Sequence, residues 1–292
     1  MSKVFYDKSI IDQIFEEFDK DKINQNKNKL LNLVERLPPE DVDKVNSRGQ
    51  TVLIFACLYG YTKIVKVLCN AKADINKEDN KDWTALMIAS RYSNTDSNIE
   101  TVKLLIDAQA DINIQNYNGW TASMLASRNS NIDSNIETVK LLIDAQADIN
   151  IQNNYGWTAL MMASIYSNID SSIETVKLLI YAQADINIQN IYGATALMLA
   201  SRNSNTDSNI ETVKLLIDAQ ADINIQNNDG WTALMLASRY FDTYSNIETV
   251  KLLIDSQADI NIQNIHGATA LMMASEYSDK KAVKLLENCN QI

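Results

Sequence analysis

The chain is 292 residues long and carries 26 lysines and arginines against 37 aspartates and glutamates, a formal charge of −11. Seven glycines and two prolines are too few for a collagen-like, linker-like or turn-dense all-β chain, and they favour helix. With 46% hydrophobic and 22% charged residues the chain is not a disordered polymer, and no apolar run approaches the roughly 20 residues that span a bilayer.

The acidic balance disfavours generic attraction to nucleic acid or anionic membrane. Cys57, Cys69 and Cys289 are too scattered for a disulfide framework, and the opening MSKVFYDKSIIDQ lacks the uninterrupted apolar core of a signal peptide. These features point to a soluble, cytoplasmic setting, with the nucleus left open.

Length alone suggests about two domains, but the sequence repeats itself. The string TVKLLI begins at Thr101, Thr138, Thr175, Thr212 and Thr249, each 37 residues after the last. A threonine opening TALM-like strings stands at Thr84, Thr121, Thr158, Thr195, Thr232 and Thr269 with the same spacing, and Thr51 precedes Thr84 by 33. Residues 116–152 and 190–226 are identical at 32 of 37 positions. A period of this size is the mark of a solenoid.

Residues 79–115 show one unit in chain order. Ala85, Leu86, Ile88 and Ala89 predict a short apolar helix ending near Arg91-Tyr92, followed by a polar loop from Ser93 to Asp96. Ser97 and Glu100 read as a capping box, with the serine hydroxyl accepting an N3 amide and the glutamate reaching back. The same pair recurs as Ser134/Glu137, Ser171/Glu174, Ser208/Glu211 and Ser245/Glu248. A second helix carries Ile99, Val102, Leu104, Leu105 and Ile106, with Lys103 and Asp107 on its exposed side. Gln109–Trp120 reads as an extended loop with a tight turn. Neither helix is able to bury its apolar face alone, so neighbouring units must stack.

Residues 46–78, NSRGQTVLIFACLYGYTKIVKVLCNAKADINKE, resemble the ankyrin repeat: a turn, Gly-x-Thr, a short helix, Gly, and a longer helix with a V-K-x-L core. The resemblance implies an all-α solenoid of stacked helix–loop–helix repeats joined by long, hairpin-like β-turn loops. It divides the chain into a repeat domain, 46–292, with units 46–78, 79–115, 116–152, 153–189, 190–226, 227–263 and 264–292. Residues 1–45 read as an N-terminal helical pair, its second helix carrying Leu30, Leu31, Leu33, Val34 and Leu37, that caps the stack.

The sequence departs from the family pattern in several ways. Five units carry four extra residues between their helices (SNTD, SNID, SNID, SNTD and FDTY), expected to protrude opposite the long turns. The family's histidine is replaced by Met87, Met124, Met161, Met198, Met235 and Met272, which are expected to fill the gap by packing. Its helix-ending glycine is Lys72, Gln109, Gln146, Gln183, Gln220 or Gln257, at a cost of about 1 kcal/mol each where the backbone is left-handed. Asp82 stands where a turn glycine belongs, and Ser123 where other long units have leucine.

Chemistry-bearing motifs are scarce. His266, the single histidine, has no partner at a recognisable spacing and reads as a turn residue. No catalytic residue, cofactor or metal is expected. A soft-metal reading of the methionine row yields to core packing. A calcium reading of Asp96, Asp133, Asp170 and Asp207 yields to solvated loop, because no Asp-x-Asp-x-Asp pattern occurs within a loop.

The stronger feature is a surface ladder. Arg91, Arg128, Arg202 and Arg239 share one position at the end of the first helix, beside Tyr92, Tyr166, Tyr240 and Tyr277, with Tyr59 in the first unit. The four tryptophans, Trp83, Trp120, Trp157 and Trp231, follow the turn glycine or its equivalent. The family resemblance places both positions on the concave groove, its usual binding surface, and these residue types are the ones enriched at interface hot spots. Tyr155, Tyr192 and His266 vary at the turn tips and are free to set partner preference. The competing account is that tryptophan caps a neighbouring turn while arginine offsets the helix dipole.

Three functions follow: a non-enzymatic scaffold or adaptor, monomeric, binding an acidic or aromatic-bearing protein segment; a structural or self-assembling solenoid; and nucleic-acid binding, disfavoured by charge.

Overall fold

The structure is a computed structural model and describes residues 8–18, 27–94, 98–132, 134–239, 245–276 and 280–289. Among the described residues it holds sixteen α-helices in two rows. After an opening pair, α1 (Ile10–Phe18) and α2 (Lys27–Val34), the first row is α3 (Val52–Leu58), α5 (Ala85–Arg91), α7 (Ala122–Asn129), α9 (Ala159–Ile165), α11 (Ala196–Arg202), α13 (Ala233–Arg239) and α15 (Ala270–Glu276). The second row is α4 (Thr62–Asn70), α6 (Ile99–Asp107), α8 (Ile136–Asp144), α10 (Ile173–Tyr181), α12 (Ile210–Asp218), α14 (Ile247–Asp255) and α16 (Lys280–Cys289). Each helix packs on its partner and on the next of its row, giving an all-α solenoid.

Local chemistry starts and stops these helices. Thr84 caps α5 by accepting the Met87 amide, and Thr121, Thr158 and Thr195 do the same for their helices. The alanines at the helix faces (Ala85, Ala89 and their equivalents) are buried, so the first-row backbones approach closely. Val102 and Leu105, with Thr101, supply the buried stripe of α6, and the pattern recurs in α8, α10, α12 and α14. The methionines pack as expected at Met87, Met124, Met161, Met198 and Met235. Met272 does not: it is 53% exposed, because no further unit among the described residues stacks on α15.

The second-row helices end in a paired motif. The Gln109 amide bonds the Ile106 carbonyl at 2.9 Å and the Ala110 amide reaches Leu105 at 3.0 Å, a Schellman closure. It requires a left-handed residue, and Lys72, Gln109, Gln146, Gln183, Gln220 and Gln257 all take φ between 60 and 67°. Asp82 does so too, at φ 60°. The turn that follows is held by an asparagine. Asn116 Oδ1 accepts the amides of Asn118 and Trp120 at 3.0 Å each, while the Asn116 amide donates to the Trp120 carbonyl. These loops are tight turns held by main-chain and asparagine side-chain hydrogen bonds, and among the described residues their strand pairing is limited to the isolated bridge of Val45 with Thr51.

Side chains then stitch the turns together. Gln115 Nε2 donates to the Gly119 carbonyl of its own unit at 2.7 Å and to the Gln152 carbonyl of the next at 3.0 Å. Asn113 Oδ1 accepts the Asp148 amide at 2.9 Å. Both bridges recur along the stack.

The capping boxes are corrected by the structure. The N-cap of each long second-row helix is the following residue, Asn98, Asn135, Ser172, Asn209 or Asn246, whose side chain accepts an amide of the first turn. Ser134, Ser171, Ser208 and Ser245 are buried instead and donate to the carbonyls of Ser90, Ser127, Ser164 and Ser201 in the preceding unit. Ser97 lies outside the described residues. Two adjacent residues were competent to cap, and contact with the neighbouring unit selects between them.

The insertions are likewise more than protrusions. Their first residues, Ser93, Ser130, Ser167 and Ser204, are buried and accept from the next unit. Ser167 Oγ takes the Thr212 hydroxyl at 2.7 Å and the Asn209 amide at 3.1 Å. The asparagines after the first three, Asn94, Asn131 and Asn168, are exposed and cross to the next loop, as Asn131 Nδ2 does to the Ile169 carbonyl at 3.0 Å. Ser167→Ala removes the acceptor from both donors and is expected to cost about 2–3 kcal/mol, because buried groups left unpaired lose their full hydration. Urea unfolding of the variant checks this; a loss under about 0.5 kcal/mol would show that the network is not stabilising. Residues 241–244, the FDTY insertion, and Asp96 and Asp133 lie outside the described residues.

At the N-terminus, Ile14, Phe18 and Leu30 are fully buried, and Phe18 stacks on Phe55 at 4.8 Å. Buried Glu17 accepts Lys29 Nζ at 2.7 Å, tying α1 to α2.

Candidate functional site

The ladder positions meet along the first-row helices, with the tryptophans just before the helix starts and the arginines in the last turns. Each tryptophan sits directly before its N-cap threonine, with its amide held by the turn asparagine or, for Trp83, by Asp79. The arginine of the same unit follows eight residues later, at the other end of the helix, and its side chain folds back over the indole. The guanidinium carbon lies 5.7 Å from the ring centre in Arg91–Trp83, 5.8 Å in Arg128–Trp120 and 4.8 Å in Arg239–Trp231. Such cation–π contacts contribute about 0.5–1 kcal/mol at exposed sites and fix the arginine's direction.

Tyrosines complete two of these stacks. Arg91 lies 5.0 Å from the ring centre of neighbouring Tyr92, and Arg128 lies 5.0 Å from that of Tyr166 in the next unit. Asn129 stands at the tyrosine position after Arg128, so the next unit supplies the ring. Arginine and tryptophan thus form one composite surface within a unit, while Arg91 and Arg128 also stand in the last turn of their helices. Among the described residues, no carboxylate lies within ion-pair distance of Arg91 or Arg128. Their Nε atoms are buried without a hydrogen-bond partner.

The ladder is interrupted in its middle. Unit 153–189 carries Trp157 but has Ile165 at the arginine position, while unit 190–226 carries Arg202 but has Ala194 at the tryptophan position. Trp157, Ile165, Tyr192, Ala194 and Arg202 line one hollow of about 400 Å³ with Leu236 of the next unit. Three successive units thus contribute to a single surface.

The turn-tip residues stand apart from the stacks. Tyr155 and Tyr192 are 52% and 58% exposed, with their amides held by Asn153 and Asn190. His266 is exposed, and its amide donates to Asn264 Oδ1 at 2.9 Å. Tyr192 reaches the hollow. Tyr240 and Tyr277 lie outside the described residues. Two exposed tyrosines, Tyr117 and Tyr181, escaped the candidate set; Tyr181 replaces the aspartate of the other long units, a break in the repeat that was open to reading.

Among the described residues no group of three or more His, Cys, Asp or Glu is placed to hold a metal. Cys57 is fully buried, which pushes its thiol well above the ordinary range, and the three cysteines are free. No helix among the described residues is long and apolar enough to cross a membrane.

Comparison with protein families matches the family described as Ankyrin repeats (3 copies) over residues 23–116, 93–190, 166–264 and 207–291. No curated protein matches the chain. The overlapping matches run through nearly the whole sequence and agree with the stacked helix pairs, the threonine caps and the glycine turns: the chain belongs to the ankyrin repeat family.

Proposed function

We propose that the chain is a non-enzymatic protein-binding scaffold that receives an extended partner segment along the face of Trp83, Arg91, Trp120, Arg128, Trp157, Arg202, Trp231 and Arg239. Ankyrin repeats are generally protein-interaction modules, and the family is typically non-enzymatic. In this reading residues 46–292 form seven units presenting the face, residues 1–45 cap the stack, and the protein acts as a cytoplasmic monomer.

One observation carries the choice of partner. Arg91 and Arg128 are held over aromatic rings with no acidic neighbour of their own among the described residues. A guanidinium fixed in place and lacking a carboxylate suits an acidic segment, because arginine recognises carboxylates through a planar fork of donors. Because the rings already order the side chains, binding loses little rotamer freedom.

Charge reversal at Arg128 and Arg202 together tests this. Wild-type protein is expected to retain acidic partners from lysate, identified by mass spectrometry, and Arg128→Glu/Arg202→Glu to lose them; an identical profile would sink the reading. Light scattering after size exclusion is expected to return the monomer mass of 32.8 kDa. A larger, concentration-dependent mass would favour self-assembly instead.

A further inference from the structure

The intact parts of the ladder show what its interruption lacks. In units 79–115, 116–152 and 227–263 an arginine covers a tryptophan of its own unit. At the junction of units 153–189 and 190–226 the pair is split between neighbours. Trp157 has no arginine in its unit to cover it, and among the described residues no cation stacks on its ring. Arg202 is exposed and has alanine where its own indole would stand.

The hollow of about 400 Å³ lies at this split. Ile165, Ala194, Leu199 and Leu236 give it an apolar lining, and Trp157 and the exposed Arg202 border it as well. Its volume falls at the lower end of the roughly 300–1,000 Å³ typical of ligand pockets.

Both substitutions act in one direction. Ala194 removes an indole, and Ile165 removes the long arginine that would lie across Trp157. What is missing is therefore an aromatic side chain, flat enough to sit against Trp157 and placed for Arg202 to cover, as Arg91 covers Trp83. We infer that the hollow at Ala194 is the anchor site of the binding face and takes an aromatic side chain, preferentially an indole, from an extended acidic partner segment. The bound ring restores from outside the arginine-over-tryptophan unit that the chain builds internally elsewhere. Acidic residues flanking that ring meet Arg202 and the arginine row. The inference rests on the protein-binding reading above and adds to it the identity of the anchoring side chain and its place.

The test uses the full chain, isotope-labelled, titrated with two pentapeptides: four glutamates around a central tryptophan, and the same peptide with central alanine. The tryptophan peptide is expected to bind about tenfold more tightly, the typical effect of a central aromatic anchor. The largest shifts are expected at the side-chain N–H signals of Trp157 and Arg202 rather than at Trp83, Trp120 or Trp231. Ala194→Trp, which fills the hollow from within, is expected to reduce the tryptophan peptide to the affinity of its alanine counterpart without lowering the melting temperature. Should that variant fail to fold, Arg202→Gln, at an exposed position, is expected to weaken the tryptophan peptide more than its alanine counterpart.

Equal affinity of the two peptides, or full affinity retained in Ala194→Trp, overturns the inference. If both peptides bind equally and Arg91→Glu/Arg128→Glu abolishes both, only the anchor assignment fails and the binding face stands. If neither binds at millimolar concentration, the anchor is overturned; an unchanged capture profile for Arg128→Glu/Arg202→Glu then overturns the protein-binding reading too.

Discussion

Glycine at Gln109, Gln146, Gln183, Gln220 and Gln257 together is expected to stabilise the protein by roughly 3–5 kcal/mol, an unusual direction for five glycine substitutions in a helical protein. All five positions take φ between 63 and 67°, where an L side chain crowds its own backbone. Relief of that strain is worth about 1–2 kcal/mol at each site. It exceeds the added freedom that glycine gives the unfolded chain, about 0.4–1 kcal/mol. The side chains are exposed, so little packing is lost. The Schellman bonds that require the conformation are made by backbone groups and survive the change. Gln183 is the weakest site for gain, since its Nε2 also bonds the Tyr181 carbonyl at 3.4 Å. The sites recur every 37 residues, one per unit, so their effects should add. Urea unfolding of the five-fold variant checks the sum, and an unchanged or lowered midpoint would mean that the glutamine backbones carry no strain.

Gly119→Ala is expected to destabilise by about 3 kcal/mol, whereas Gly267→Ala, the same turn position in the last unit, should cost only about 1 kcal/mol. Both glycines have positive φ, +78° and +74°, so the backbone penalty is common to them. Their surroundings differ. A Cβ on Gly119 would lie 2.6 Å from the Asn154 amide nitrogen and 2.9 Å from the Asn153 Cα, both backbone atoms of the next unit. Those atoms move only if the two turns separate, which also pulls at the bond from the Asn154 amide to the Asn118 carbonyl. A Cβ on Gly267 meets nothing within 4 Å. The difference between the two variants therefore measures the contact between stacked turns. Thermal melts of the pair suffice, and equal losses would show that stacking does not press on the turn.

Much of this protein was open to reading in its sequence, because a repeat states each local rule several times. Gly119 and its equivalents before the N-cap threonines announced a tight turn, and Gln109 at a glycine position announced a strained helix end; both depend on backbone sterics within a few residues. The ankyrin fold followed from the same periodicity. The helix start at Asn135 did not. Ser134 and Asn135 are equally fit to cap, and only the Ser90 carbonyl of the neighbouring unit, which takes the Ser134 hydroxyl at 2.8 Å, assigns the role. The insertions looked like solvated loops for a related reason: the burial of Ser130 and Ser167 depends on hydroxyl partners more than forty residues away.

The candidate site divides in the same manner. Which residue types stand in register, and where the register breaks at Ile165 and Ala194, is written in the chain. Tertiary structure alone decided that arginine and tryptophan stack within a unit, that Tyr166 serves the arginine of the unit before it, and that two substitutions 29 residues apart open one hollow. Register is a property of the chain, whereas adjacency across units exists only once the units stack.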